Sequence, residues 1–363
     1  MDRVDAVVIG GGVVGLAVAR ALALTRRETL LLEAAAECGT GISSRSSEVI
    51  HAGLYYPPGS LKARLCRAGR EQLYGFAAER EVPYRRCGKL VVATSAGELE
   101  KLAALARTAQ ANDVAVHPLD ARAARALEPE LACEAALLSP DTGIIDSHAY
   151  VLALRAEAER EGVIIACRSR VTGWTLAGGA SRLSINHQEA SLEAALVVNC
   201  AGLQALEVAA LIADYPAALL PRAYLAKGNY FALRGASPFR HLIYPLPEGG
   251  GLGIHLTLDL AGGARFGPDV QWVAEPDYRV DATRAGLFAA AIRHYWPALP
   301  ADALLPGYAG LRPKIAPPEQ AWADFRIDGP ALHGLPLVQL FGIESPGLTA
   351  ALAIGEYVAR LSG

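Results

Sequence analysis

The chain has 363 residues, of which 52% are hydrophobic and only 20% are charged. This composition is that of a globular, core-forming protein; it excludes intrinsic disorder, and the length suggests two domains. The 34 Lys and Arg against 37 Asp and Glu give a formal net charge of −3, so there is no general basic field to hold nucleic acid or an anionic membrane. We therefore expect small, specific ligands as partners and no nucleic acid.

The amino-terminal third of the chain begins with a β-α-β pattern. Residues Val4–Ile9 form an apolar, β-branched run that predicts a strand, and Val13–Leu24 predict a helix. Thr29–Leu32 predict a second strand that ends at Glu33, and parallel strands need such a crossover. A signal peptide is a poorer explanation of this stretch because Asp2 and Asp5 precede it, and the apolar run is too short to span a bilayer.

Helices and a buried strand are predicted in the middle of the chain. The helices are expected at Leu61–Glu81, Ala96–Asn112, Ala121–Glu128 and Asp146–Glu161, the last capped by Asp146 or Ser147, and the strands at Cys87–Thr94 and Leu192–Cys200. The stretch from Tyr224 to Val280 is rich in Gly, Pro and short alternating runs, which favours an antiparallel sheet. The pattern then returns to a strand, Val338–Phe341, and a helix, Leu348–Leu361.

These elements predict an α/β protein: a Rossmann-like, doubly wound domain plus a smaller α+β domain with an antiparallel sheet. We expect the first domain to be assembled from residues 1–83, 144–221 and 311–363. Residues 84–143 and 222–310 would then form the second domain, which would face the substrate.

The strongest single motif is Gly10-Gly11-Gly12-Val13-Val14-Gly15, a G-x-G-x-x-G where a strand meets a helix. Gly10 permits the tight turn, Gly12 lets a pyrophosphate approach the backbone, and Gly15 allows close packing of helix and strand. Glu33 follows 18 residues after Gly15 and can accept hydrogen bonds from a ribose. The motif therefore predicts an adenine dinucleotide, but it does not choose between NAD and FAD.

The spacing of the cysteines and one hydroxyl-rich loop limit the kinds of site that the sequence predicts. Six cysteines follow no C-x-x-C or paired spacing, so the sequence indicates neither a metal site nor a disulfide framework and favours a reducing, cytoplasmic location. A loop from Thr40 to Tyr56, directly after the second strand, is rich in hydroxyl groups that suit the ribityl and phosphate groups of a cofactor.

Several segments resemble one family, the L-2-hydroxyglutarate dehydrogenases and oxidases of the D-amino-acid-oxidase-like FAD superfamily. The segments are residues Ser44–Tyr56, Ser60–Cys66, Cys87–Ala93, Thr142–Asp146, Val198–Gly202 and Phe341–Thr349. They are spread over nearly the whole chain. The likeness is weaker from Ser237 to Asp269, which bears on the choice of substrate.

The resemblance implies FAD as the cofactor and a set of residues that contact it. These are Gly10, Gly12, Val14 and Gly15 at the pyrophosphate, Glu33 at the adenosine ribose, Ser44, Arg45 and Ser47 along the pyrophosphate and ribityl chain, Ala201 and Gly202 near the adenosine half, and Gly347, Leu348 and Thr349 at the isoalloxazine. A helix that begins near Gly347 would direct N–H groups at the ring edge that becomes negative on reduction. Covalent attachment of the flavin through His51 or a cysteine is an alternative, but the resemblance implies noncovalent binding.

The implied reaction removes a hydride to flavin N5 from a carbon that carries OH or NH₂ next to a carboxylate, while a base takes the proton. Histidine suits this task because its ordinary pKa is about 6.5. Of eight histidines, His51 and His255 lie in family-like segments, and each has a structural role as its alternative. For the substrate carboxylate we expect Arg312, whose planar fork makes two parallel bonds, with Lys314 or Lys227 adding charge for a second carboxylate.

The most specific hypothesis is oxidation of L-2-hydroxyglutarate to 2-oxoglutarate. Alternatives of the same superfamily are an oxidase of D-amino acids, glycine or amines and a glycerol-3-phosphate dehydrogenase; a nucleotide-binding module without redox activity is the alternative from another class. The electron acceptor is left open between oxygen and a quinone. A quinone would bring the enzyme to the inner membrane surface without a spanning helix.

Overall fold

The computed structural model describes residues 2–189, 192–213, 215–246, 253–320 and 322–363. Its strands, in chain order, are β1 (Asp2–Ile9), β2 (Thr29–Leu32), β3 (Val49–Ile50), β4 (Tyr84–Arg85), β5 (Lys89–Ala93), β6 (His117–Asp120), β7 (Ala135–Ser139), β8 (Gly143–Ile145), β9 (Ile164–Ala166), β10 (Val171–Ala177), β11 (Ala180–Ile185), β12 (Leu192–Asn199), β13 (Tyr224–Leu233), β14 (Leu242–Pro245), β15 (Leu256–Leu258), β16 (Ala264–Phe266), β17 (Gln271–Val273), β18 (Leu304–Lys314), β19 (Arg326–Asp328) and β20 (Leu337–Phe341). The helices are α1 (Val13–Leu24), α2 (Leu61–Glu79), α3 (Leu99–Ala111), α4 (Ala121–Leu127), α5 (Ser147–Arg160), α6 (Ala205–Ala209), α7 (Ala285–Arg293), α8 (Pro330–His333) and α9 (Gly347–Leu361).

A parallel sheet forms the centre of the first layer. Its strands lie in the order β9, β2, β1, β12, β20, and every neighbouring pair is parallel. The β10–β11 hairpin joins the start of β12 and β19 joins β20, both antiparallel. Ala6, Val7 and Val8 of β1 have no solvent exposure, as expected for a strand covered on both faces. This is the doubly wound arrangement that the sequence predicts.

Three helices pack on one face of the parallel sheet. The core between them joins apolar side chains of α1, α5 and α9 to those of β1, β12 and β20. Glycine brings two of these helices close together: a Cβ added to Gly355 of α9 would lie 2.5 Å from the carbonyl oxygen of Ala17 in α1. The close approach of α1 and α9 therefore depends on the absence of a side chain at Gly355.

The second large sheet is mainly antiparallel. From one edge it runs β6, β7, β5, β14, β15, β16, β13 and β18, and β17 pairs with the start of β13. Only β5 and β14 are parallel neighbours among these described strands. The antiparallel sheet predicted for Tyr224–Val280 is present, with residues 247–252 of that stretch outside the described part of the chain. Its core also includes α3 and α7.

Several helices begin or end at other residues than predicted, because capping and backbone geometry determine their boundaries. Asp146 is the cap of α5, because its carboxylate accepts a hydrogen bond from Ala149 N at 2.9 Å. The predicted helix from Ala96 begins as a 3₁₀ turn, Ala96–Glu98, and becomes α-helical at Leu99. The helix predicted to reach Glu81 ends at Glu79, and Glu81 has a left-handed φ of 53°.

Candidate active site

A cleft of about 830 Å³ lies between the two large sheets. Its wall is assembled from segments far apart in the sequence, from Ile9 at the end of β1 to Thr349 in the first turn of α9. The glycine turn, the hydroxyl-rich loop, the end of β12, the face of β18 and the start of α9 all contribute. The cleft therefore brings together most of the residues that the sequence analysis selects.

The glycine turn forms one end of the cleft. Gly10 has φ of 105°, in the left-handed region that a side chain disfavours. A Cβ added to Gly15 would lie 1.9 Å from the carbonyl oxygen of Gly10, so only glycine fits there. The first-turn N–H groups of α1 have no acceptor inside the helix. One of them, of Val13, donates to Ser43 Oγ at 3.0 Å.

Glu33 is held in position by the backbone. Its two carboxylate oxygens accept hydrogen bonds from Gly11 N and from Ala35 N, each at 2.6 Å. Each oxygen retains a second lone pair. The carboxylate thus has fixed geometry and further accepting capacity at the wall of the cleft.

His51 lies where the hydroxyl-rich loop meets α9. Its backbone N–H donates to Thr349 Oγ1 at 3.0 Å, and the Thr349 hydroxyl donates to Val49 O at 3.2 Å. The ring nitrogen Nε2 lies 3.2 Å from Ser345 Oγ. Burial, with smaller contributions from the charges of Lys89 and Arg312, lowers the pKa of His51 to about 3. The imidazole is therefore neutral at neutral pH.

His255 occupies a different environment from His51. It is only 7% exposed, and its ring stacks on Tyr244 with centroids 3.6 Å apart and planes 10° apart. Burial, followed by the charges of Lys89, Arg312 and His51, holds the pKa of His255 well below its ordinary value. Both histidines border the cleft, but His255 is packed into its floor.

Four charged side chains line the cleft near the hydroxyl-rich loop and α9: Lys62, Arg312, Lys314 and Glu344. Arg312 and Lys314 lie two residues apart on β18 and so on the same face of the strand. Lys314 Nζ and Lys62 Nζ both donate to Glu344 Oε1, at 2.8 Å and 3.0 Å. Burial alone would raise the pKa of Glu344, but the charges of Lys62, Lys314 and Arg312 lower it.

Arg312 differs from the two lysines because its guanidinium has no hydrogen bond or ion pair to any residue in the described part of the chain. Its five N–H groups are available to an anion in the cleft. Lys227, the other lysine expected to add charge, lies elsewhere: its Nζ donates to Asp277 Oδ2 at 2.8 Å. Lys227 is not among the residues that line the cleft, so the structure does not support its predicted role beside a second carboxylate.

A family model described as FAD dependent oxidoreductase matches residues 5–361. The chain belongs to this family. Its predicted cofactor, FAD, and its predicted enzyme class, an FAD-dependent oxidoreductase, are confirmed by that match. A solved structure of L-alpha-glycerophosphate oxidase from Mycoplasma pneumoniae with FAD bound superposes with a TM-score of 0.90 at 24% identity, covering 100% of this chain and 95% of that one.

Curated relatives narrow the branch of the oxidoreductase family. The mitochondrial L-2-hydroxyglutarate dehydrogenase of Arabidopsis thaliana is 44% identical over 99% of this chain and 83% of that protein. The enzyme of the same name from Caenorhabditis elegans is 34% identical over 74% of this chain and 64% of that protein. The chain thus spans less than two thirds of the nematode relative. The predicted resemblance to L-2-hydroxyglutarate dehydrogenases is confirmed.

The residues of the cleft fit FAD. The glycine turn would hold the pyrophosphate, since the N–H groups of α1 lie there, and Glu33 would accept from the ribose. The first turn of α9, starting at Gly347, would direct N–H groups at the flavin ring. Ala201 and Gly202 border the same cleft beside the glycine turn, as do Val14 and Leu348. The individual contacts remain predictions.

The loop residues selected from the sequence are placed differently from one another. Arg45 and Ser47 border the cleft, with Ser47 Oγ 2.7 Å from Tyr230 OH. Ser44 is exposed, and its hydroxyl donates to the carbonyls of Thr40 and Gly41, both at 3.0 Å. Both serines lie in the 3₁₀ turn Ile42–Arg45, whose geometry turns Ser43 toward the cleft and Ser44 toward solvent. The structure therefore does not support Ser44 as a contact, and Ser43 replaces it as a prediction.

Sequence reasoning also missed Ser345, Lys62 and Glu344. The fold brings Ser345 to His51, and it brings Lys62 to Glu344, which also binds Lys314. Ser345 and Glu344 lie inside a family-like segment, so the signal was present without an assigned role. In the described part of the chain, no group of three His, Cys, Asp or Glu side chains is placed to hold a metal ion. None of the described helices combines the length and apolarity needed to cross a membrane.

Proposed function

We propose that this oxidoreductase converts L-2-hydroxyglutarate to 2-oxoglutarate. The observation that supports this best is the 44% identity to the Arabidopsis thaliana L-2-hydroxyglutarate dehydrogenase over 99% of the chain. The cleft is consistent with it, because Arg312, which has no ion pair among the described residues, and a neutral His51 border the same cavity. A 2-hydroxy acid offers one carboxylate to Arg312 and one hydroxyl proton to His51.

The roles of the chain's own residues follow from their chemistry. Arg312 would bind the carboxylate next to the reacting carbon through two parallel hydrogen bonds. His51 would accept the hydroxyl proton, with its ring oriented by Ser345, and Thr349 would fix its backbone. Bound FAD supplies the two-electron oxidant, so the substrate loses one hydride and one proton overall.

We further propose the domain division predicted from the sequence. The strands of the parallel sheet, β1, β2, β9, β12 and β20, all lie within residues 1–83, 144–221 and 311–363. Strands β5, β6, β7 and β13–β17 lie within 84–143 and 222–310, and β18 crosses the boundary at 310. The first set would hold FAD and the second would cover the substrate.

The test is anaerobic reduction of the bound flavin by each compound. Loss of the yellow flavin absorbance measures this reduction. We expect L-2-hydroxyglutarate to bleach it, and D-2-hydroxyglutarate, glycine, small D-amino acids and glycerol 3-phosphate to do so far more slowly. Rapid bleaching by one of these other compounds, without bleaching by L-2-hydroxyglutarate, would refute the proposed substrate and indicate the class of the compound that reacts.

Arg312→Met tests the carboxylate role. Leaving a buried substrate carboxylate unpaired costs about 2–5 kcal/mol, so kcat/KM should fall roughly 30- to 5,000-fold. Arg64→Met is the matched control, because Arg64 is exposed on α2. FAD absorbance should be retained in both variants. Unchanged kcat/KM in Arg312→Met would refute the role of this arginine.

The acceptor that reoxidises the cofactor is oxygen or a quinone in this proposal, and the enzyme is cytoplasmic. The quinone alternative includes peripheral contact with the inner membrane. Release of hydrogen peroxide during aerobic turnover supports oxygen. Reduction of a soluble quinone without peroxide supports the quinone.

A further inference from the structure

One buried lysine near the cleft has no counter-charge among the residues that the structure describes. The chain has five lysines: Lys62, Lys89, Lys101, Lys227 and Lys314. Lys62 and Lys314 share Glu344, Lys227 is paired with Asp277, and Lys101 is exposed on α3. Lys89, on β5, has no solvent exposure, and its Nζ has no hydrogen-bond partner in the described part of the chain.

Lys89 lies directly behind the wall of the cleft. Its Nζ is 4.6 Å from the ring centroid of Tyr55 and 4.6 Å from that of Tyr244, and both rings line the cleft. Tyr244 is the ring on which His255 stacks. Ring faces attract a cation, but they do not replace the anion or the water that an ammonium group loses on burial.

The surroundings of Lys89 make this position electrostatically costly. Burial lowers the pKa of Lys89 to about 7, against a smaller opposing effect of Cys66. After burial, the charge of Lys89 is the next cause that lowers the pKa of His51 and that of His255. An anion that entered the cleft beside Tyr55 and Tyr244 would stabilise the ammonium form. No described residue supplies such an anion to Lys89 Nζ.

On the basis of the proposed function, we propose that Lys89 supplies the counter-charge for the second carboxylate of the substrate and so selects dicarboxylic 2-hydroxy acids over monocarboxylic ones. Arg312 remains the partner of the first carboxylate. Lys62 and Lys314 are less suited to the second, because each already has Glu344 as its anion at 2.8–3.0 Å. Lys89 acts through the aromatic wall and is a specificity-determining residue, with no part in the transfer of the hydride or the proton.

The experiment compares two pairs of ligands on the FAD-loaded protein. The first pair is L-2-hydroxyglutarate and L-2-hydroxypentanoate, which share a chain length and differ in the second carboxylate. The second pair is glutarate and its monoamide, neither of which can be oxidised, so that binding is measured by itself through calorimetry or flavin absorbance.

Lys89→Met should lower kcat/KM for L-2-hydroxyglutarate, mainly through KM, and the affinity for glutarate. The expected factor is roughly 10- to 100-fold, the effect of one unit charge several ångströms away at an effective dielectric constant of about 20. Values for L-2-hydroxypentanoate and the monoamide should change far less. Lys89→Arg should restore most of the preference for the dicarboxylate. Lys101→Met, which removes the same charge from an exposed helix, should leave the preference intact.

Equal losses for both members of a pair would overturn the proposal and assign Lys89 a structural role. If Lys89→Met does not fold, the wild-type protein still decides: equal affinity for glutarate and its monoamide would overturn the proposal. Failure of the proposed function is distinguishable, because it appears as absent flavin bleaching by L-2-hydroxyglutarate while the glutarate measurements still report on Lys89.

Discussion

The two histidines of the cleft make a comparison possible at the scale of single residues. His51 has a ring nitrogen 3.2 Å from Ser345 Oγ at the start of α9, whereas His255 is stacked beneath Tyr244. The first arrangement presents a nitrogen beside the start of α9. The second buries most of the ring against an aromatic neighbour. We therefore propose proton acceptance for His51 and packing for His255.

His51→Asn should slow flavin reduction by roughly 10²- to 10⁴-fold, the usual contribution of a general base, with FAD still bound. His255→Asn, the matched control, should reduce the rate much less and lower the thermal stability. Stopped-flow absorbance under anaerobic conditions measures the rates. A larger loss of rate in His255→Asn would reverse the assignment.

The same geometry predicts the pH dependence. The pKa of His51 lies at about 3, below its ordinary value of about 6.5, so the ring stays neutral as the pH falls from 8 to 5. Protonation of His51 should therefore cause no fall in the kcat/KM of the wild-type protein as the pH decreases across this range. An acid limb centred near pH 6.5 would show that the histidine titrates normally in the free enzyme.

Sequence reasoning identified residues whose role follows from a local pattern or a family segment. Gly10, Glu33 and Arg312 belong to this class, and all three border the cleft. Ser44 was chosen in place of Ser43 because the phase of a short 3₁₀ turn is not written in its composition. The significance of Lys89 could not be foreseen at all, since a missing partner is visible only when every neighbour is known.

At the scale of elements, the packing of α9 against α1 depends on Gly355. The added Cβ would meet the backbone of Ala17 at 2.5 Å, and backbone cannot rotate away as a side chain can. The two helices would have to separate to accept any other residue. The start of α9 would then shift relative to the cleft that it borders.

Gly355→Ala should lower the free energy of unfolding by about 1–3 kcal/mol, the usual cost of overpacking. Gly286→Ala is the control, because Gly286 lies in α7 with nothing within 4 Å of the added Cβ. That change should stabilise the protein by about 0.5–1 kcal/mol, since alanine favours a helix over glycine. Urea unfolding measures both. A neutral Gly355→Ala would mean that the two helices adjust without cost.

Element types were predictable from the sequence where periodicity is long or strongly apolar, as in α1 and β2. The pairing of strands with one another was less predictable from the sequence. The three-stranded sheet β3-β8-β4 joins strands of two or three residues, too short to leave a pattern. The β10–β11 hairpin lies in a stretch for which no element was predicted. Both are set by tertiary contacts rather than by local propensity.

At the scale of the whole molecule, the cleft lies between two sheets with separate cores. A ligand that fills it contacts both and binds only the folded chain. FAD should therefore stabilise protein stripped of its cofactor, by about 2.7 kcal/mol at 100 times its dissociation constant. Thermal unfolding with increasing FAD measures this. NAD is the control, and a response to NAD equal to that of FAD would contradict the assigned cofactor specificity.

The wall of the cleft begins at Ile9 and is completed at Thr349. The glycine turn is synthesised long before α9, because most of the described chain lies between them. The cleft is therefore incomplete until α9 has been made. We expect FAD that needs both ends of this wall to bind only after that point.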